Sequence, residues 1–172
     1  MAIHLTKKIS EAIKKIVSLE FPGLEYHEFV VSESEEPRTY LNSDELIERY
    51  GQFKWHIVDL INEKYGSSFD LHNWIDKISS DEVAYFLNEA GSNCLNYSQF
   101  KIPRGFHLWL GKNGFIIALE QKGLGFNAEK VHNLRLKENE GEGFDFYRNC
   151  HGKIFFDDNQ DAKIIYFKHL FN

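Results

Sequence analysis

The sequence is poor in the residues that staple or interrupt a chain: two cysteines, three prolines and one methionine in 172 residues. Two thiols, Cys94 and Cys150, cannot build the multi-bridge framework of a small secreted domain. A chain of this length buries about 70% of its unfolded surface, so it needs no such staple. No apolar run approaches the roughly 18 residues of a membrane-spanning helix. The opening MAIHLTKKISEAIKK lacks the continuous apolar core of a secretory signal. These absences set the expectation of a cytoplasmic protein with reduced thiols and no membrane partner, in which the Asn96-Tyr97-Ser98 sequon is coincidental. Positive charge is also short, with 20 Lys and Arg against 26 Asp and Glu and a net charge of −6. That balance argues against nucleic acid as a partner and favours a basic protein.

What the chain has in excess is aromatic residues: fifteen Phe, eight Tyr and three Trp. Such rings make a dense core, and any surplus on the surface favours a binding face. Eight of them fall within residues 144–171, so the terminal KIIYFKHLFN is expected to be an aromatic strand capable of self-association.

Hydrophobic periodicity divides a single domain, residues 1–172, into a helical half over about 1–100 and a sheet half over about 101–172. Leu5, Ile9, Ile13, Ile16 and Val17 share a helical face, and Pro22-Gly23 ends that segment. LEYHEFVV reads as a strand and SESEEPR as an acidic loop. Leu46, Tyr50, Phe53, Ile57 and Ile61 mark the clearest helix, behind an Asn42/Glu45 capping box, with Gly51 as a point of interruption. A short helical piece through Trp74 and Ile78 follows. A second capping box, Ser79/Glu82, opens a helix that ends at Gly91. Beyond Pro103 the period changes to that of strands: a hairpin, then a brief helix or turn near Asn127–Asn133, then NLRLK, FDFYRNC, KIFFDD and the terminal strand, with ENEGEG as a loop. The fold class that follows is α+β, with N-terminal helices packed on one face of a mainly antiparallel C-terminal sheet.

Chemistry is sparser. Asn113-Gly114 is a strong hairpin signal, and centring a type I′ turn there sets His107 opposite Glu120. A turn centred on Lys112-Asn113 instead sets His107 opposite Ala118. In either register His107, Trp109, Ile116, Ala118 and Glu120 share one face, and Leu108, Leu110, Ile117 and Leu119 share the other. A carboxylate beside an imidazole orients it for general acid–base work, with Arg104 or Lys122 stabilising a developing anion. The plainer reading is a cross-strand polar pair.

Gly123, Gly125 and Asn127, with Lys122 and Lys130 nearby, resemble a shortened phosphate-binding loop, although a turn capped by Asn127 explains the same residues. Asp157, Asn159 and Asp161 begin a calcium-loop pattern that fails at Ala162 and Lys168. Cys94, thirteen residues before His107, reads as a buried structural thiol rather than a nucleophile. The eight histidines show no HExxH or HxxxH, so no metal ligands and no cofactor are expected.

The leading expectation is a non-catalytic intracellular protein-interaction domain, of the inhibitor or immunity type, facing a basic protein. Two alternatives stand beside it. One is a small hydrolase or nuclease using His107 and Glu120 as an acid–base pair. The other is an anion or nucleotide binder at Gly123–Asn127, with Arg104, Trp109 and Lys122 as further ligand-binding residues.

Overall fold

The computed structural model describes residues 3–18, 23–74, 81–138, 146, 147 and 149–171. Its elements are β1 (Ile3–His4), α1 (Ile9–Ile16), β2 (Glu25–Val30), α2 (Ser43–Tyr65), α3 (Glu82–Tyr97), β3 (Pro103–Leu110), β4 (Gly114–Gln121), α4 (Ala128–Glu138), β5 (Lys153–Phe156) and β6 (Ile164–Leu170), with a 3-10 turn at Leu71–Trp74. The strands form one sheet in the order β1-β5-β6-β4-β3-β2, antiparallel throughout except for the β1–β5 pair. The class is α+β. Its sheet also recruits two strands, β1 and β2, from the N-terminal half.

Alternation along the strands gives the sheet two buried faces. One carries Phe106, Leu108, Leu110, Phe115, Ile117, Leu119, Ile154 and Phe167, under α2 and α3. The other is covered by α1, whose Ala12 and Ile16 pack on Ile116, Ala118, Phe155 and Tyr166. An eight-residue helix is about 12 Å long, too short to cover six strands. It lies on β4 and β6, and among the described residues the β2–β3 end of its face is left open.

The hairpin register departs from the Asn113-Gly114 expectation. Leu110 faces Phe115, Trp109 faces Ile116 and His107 faces Ala118, so the turn centres on Lys112-Asn113. Gly114 does not adopt positive φ. It is glycine because a Cβ there would run into the backbone carbonyl of His169 on β6. Tertiary bonds hold the turn: Asn113 N–H donates to Ile16 O at 2.9 Å, and Phe171 N–H to Asn113 O at 2.9 Å. The Tyr65 hydroxyl lies 2.6 Å from Gly111 O and 2.7 Å from Gly114 O. These contacts from α1, α2 and the C-terminal end override the local turn preference.

Other elements differ from expectation for similar reasons. Helix α2 runs unbroken through Gly51, and Asn42 Oδ1 accepts from Thr39 N–H instead of capping α2. Helix α3 continues past Gly91 to Tyr97, and its cap is Asp81, which accepts from Ala84 N–H at 2.9 Å. Ser79, Ile78 and the ENEGEG loop from 139 onward lie outside the described residues. NLRLK lies within α4, not in a strand, because the Asn127 side chain accepts from Lys130 N–H at 2.7 Å and starts a helix there. Phe146 and Tyr147 are helical as well. The terminal strand β6 is interior, between β4 and β5, with Tyr166 and Phe167 buried on opposite faces. It therefore presents no free edge for self-association. Among the described residues no helix is long and apolar enough to cross a membrane.

Candidate functional site

The open end of the α1 face gathers side chains from three adjacent strands. Alternation places Tyr26 and Glu28 of β2 beside Trp109 and His107 of β3. On β4, Glu120 stands one pleat along from Ala118, so it is the diagonal neighbour of His107. Diagonal positions are within reach of long side chains, and His107 Nε2 lies 2.8 Å from Glu120 Oε2. The strand is irregular between Pro103 and Gly105, where bulges re-aim side chains. Arg104 thereby bonds Glu120 at 3.0 Å and Glu28 at 3.2 Å.

Tyr26 completes the cluster, its hydroxyl 2.7 Å from His107 Nδ1. Because an ionised carboxylate only accepts, Nε2 carries a proton toward Glu120; in the neutral imidazole Nδ1 then accepts the Tyr26 O–H. The rings pack in sequence, with Tyr26 and Trp109 centred 5.2 Å apart, His107 and Trp109 5.8 Å, and Trp109 and Tyr166 6.1 Å. Tyr26 is 49% exposed.

The electrostatics follow from these contacts. The hydrogen bond from His107, aided by Arg104, holds the Glu120 carboxyl below the usual carboxylate range against the opposing effect of burial. Glu120 and Glu28 hold the Arg104 guanidinium more firmly protonated. Burial, then the charges of Glu28 and Glu120, raise the Tyr26 hydroxyl, which stays a donor rather than a phenolate nucleophile. Every charge in the cluster is thus answered by another member of it. Two surface hollows, of about 560 and 480 Å³, lie elsewhere, one lined by Arg38, Tyr40, Leu41 and Asp44, the other by Ser32, Glu33, Glu36 and Arg49. Neither reaches His107.

Of the residues singled out from sequence, Arg104, His107, Trp109 and Glu120 come together. Lys122, Gly123, Gly125 and Asn127 form a separate loop. Gly123 has φ +79° and packs against Gln99 and Phe100. The N–H groups of that loop are already committed: Leu124 donates to Gln99 Oε1, Gly125 to Asp161 Oδ1 and Phe126 to Ala162 O. The first turn of α4 is likewise occupied, by Asn159 O and the Asn127 side chain. These N–H groups are therefore not free to meet an anion. Lys122 is buried, 3.4 Å from Ser32 Oγ, and burial lowers its pKa.

Asp157 and Asp158 accept N–H groups of their own turn. Both thiols are buried, and burial pushes Cys94 up to about 11 and Cys150 up to about 12. Neither is poised as a nucleophile.

Tyr26 and Glu28 are the members that sequence reasoning missed. Their two-residue spacing puts them on one face of β2, but which strand lies alongside is decided by the whole sheet. Comparison with protein-family models, curated proteins and solved structures finds no match to this chain.

Proposed function

We propose that this protein is a non-catalytic interaction domain that receives a basic protein on the open β2–β3 part of its sheet. The observation that carries this reading is the fixed, half-exposed Tyr26, packed against Trp109 and bonded to His107, next to an Arg104 held by two carboxylates. Tyr, Trp and Arg dominate the energetics of protein interfaces. Anchors already immobilised on strands lose little further conformational freedom on binding. The exposed acidic loop that follows β2, with Glu33, Glu35 and Glu36, and the net charge of −6 suit a basic partner, as for an inhibitor or immunity-type protein.

A second reading, acid–base catalysis, is favoured by one observation, the unbroken Tyr26–His107–Glu120 chain of hydrogen bonds. The raised Tyr26 and the mutually satisfied charges weigh against it. Affinity capture from source-cell extract with wild-type protein and with Tyr26→Ala and Arg104→Ala tests the first reading. The wild type is expected to retain a stoichiometric basic protein that both variants lose. Equal capture by all three proteins contradicts it. Loss of a hydrolytic activity on His107→Ala, with capture unchanged, would favour the second.

A further inference from the structure

Helix α1 divides its face of the sheet, and the β1–β5–β6 side, away from Tyr26, is basic. Lys153 and Lys168 stand directly opposite each other across β5 and β6, a like-charge pairing that destabilises a sheet. On the same face His4 of β1 stands beside Phe155 of β5. The Lys7 ammonium lies 5.9 Å from the centre of the Phe155 ring, and the charges of Lys7 and of Lys15 on α1 both act on Lys168. Lys168 is only 6% exposed. Among the described residues none of these four lysines makes an ion pair with a carboxylate. His4 Nε2 is buried with no hydrogen-bond partner.

A buried ammonium with only cations for company is costly to a fold. In a chain with six more acidic than basic residues, a carboxylate at this spot would have been an easy remedy. Costly arrangements of this kind persist where function retains them.

We propose that His4, Lys7, Lys15, Lys153 and Lys168 form a binding site for a phosphoryl group. Several converging cations match a dianion better than a single carboxylate. Lysines supply rotatable point charges that suit the oxygens of a tetrahedral phosphate, whereas planar carboxylates are matched by the arginine fork. Depth is graded, from exposed Lys15 through half-buried Lys7 and Lys153 to buried Lys168. Burial, then the charges of Lys7, Lys15 and Lys153, bring Lys168 down to about 8, so it is still largely charged at neutral pH. Burial, then Lys7, Lys153 and Lys168, lower His4, which keeps its imidazole neutral with one N–H to donate. This site is independent of the Tyr26 surface.

The test is thermal unfolding of the full chain with inorganic phosphate or glycerol phosphate against sodium chloride at equal ionic strength. Sedimentation with phosphatidylcholine vesicles, with and without phosphatidic acid, runs alongside. In wild type, phosphate at ten times its Kd should raise the melting temperature by roughly 3–6 °C over the chloride control. Lys168→Met should melt above wild type in chloride and lose the phosphate response. Lys153→Met, at a less buried position, should lose most of it too. A response to the soluble phosphates identifies a free or small-molecule phosphate as the source. Binding confined to phosphatidic acid vesicles, and lost in Lys168→Met, identifies a lipid phosphate. The proposal is overturned if no phosphate source binds, or if wild type and both variants respond equally.

Discussion

His107 reaches Glu120 across the diagonal of the β3–β4 ladder, Nε2 to Oε2 2.8 Å, although its direct partner is Ala118. Glu120 is thereby the hub that holds both the imidazole and the Arg104 guanidinium. Replacing it by glutamine keeps the shape and removes the charge. Glu120→Gln should cost about 1–2 kcal/mol of stability at pH 7, read from urea unfolding. The folded carboxyl is held below its ordinary value, so its contribution is complete above about pH 4.5 and is lost as pH falls through the lowered value. The gap between wild type and variant should therefore close in acid. A gap that persists unchanged at pH 3 would show that the charge of Glu120 does not matter.

Gly114 sits where β4 crosses close to the His169 carbonyl, with ordinary negative-φ backbone. Gly114→Ala should therefore lose more than about 2 kcal/mol through forced separation of β4 from β6. A loss under about 0.5 kcal/mol, as an open turn position would give, would contradict the close approach.

The sequence and the structure agree where the signal is a period and part where it is a local preference. Strand alternation set Trp109, His107 and Glu120 on one face in either register, because a shift of two residues in pairing leaves the faces unchanged. The register itself does not follow the local preference of Asn113-Gly114, since Ile16, Tyr65 and Phe171 hold the turn from distant parts of the chain. NLRLK alternates like a strand, yet Leu134 and Leu136 are both half-exposed on α4, whose start is dictated by Asn127. The diagonal contact and the Tyr26 bond depend on strand order, which no local pattern encodes. Lys168 is legible as a charged residue in an aromatic strand, but the lysines around it come from α1, β5 and the segment after β1.

The buried lysine gives a second pH dependence, of opposite sense. Lys168, facing Lys7, Lys15, Lys153 and His4, has its pKa lowered from 10.5 to about 8. The unfolded chain therefore binds the proton more tightly, and wild type should gain stability relative to Lys168→Met as pH rises from about 8 to 10.5. The gain, in phosphate-free buffer, should be on the order of 2 kcal/mol. Parallel curves for the two proteins across that window would contradict the uncompensated burial of Lys168.

Cys94 and Cys150 are buried, with thiols pushed up to about 11 and about 12. In native protein at pH 8 both should react with a chromogenic disulfide reagent at least a hundredfold more slowly than in the urea-unfolded chain. Reaction of either at the unfolded rate would reopen a nucleophilic role for it.

The central claim is that the open β2–β3 surface is where a partner docks. The most direct measurement is photo-crosslinking in source-cell extract, with Tyr26 replaced by a photoreactive phenylalanine derivative. The same replacement of the exposed Glu48, on the helix that covers the opposite face, serves as control. The account predicts one dominant adduct with a basic protein from position 26 and none from position 48. Adducts of equal yield and identity from both positions, or none from position 26, would contradict it.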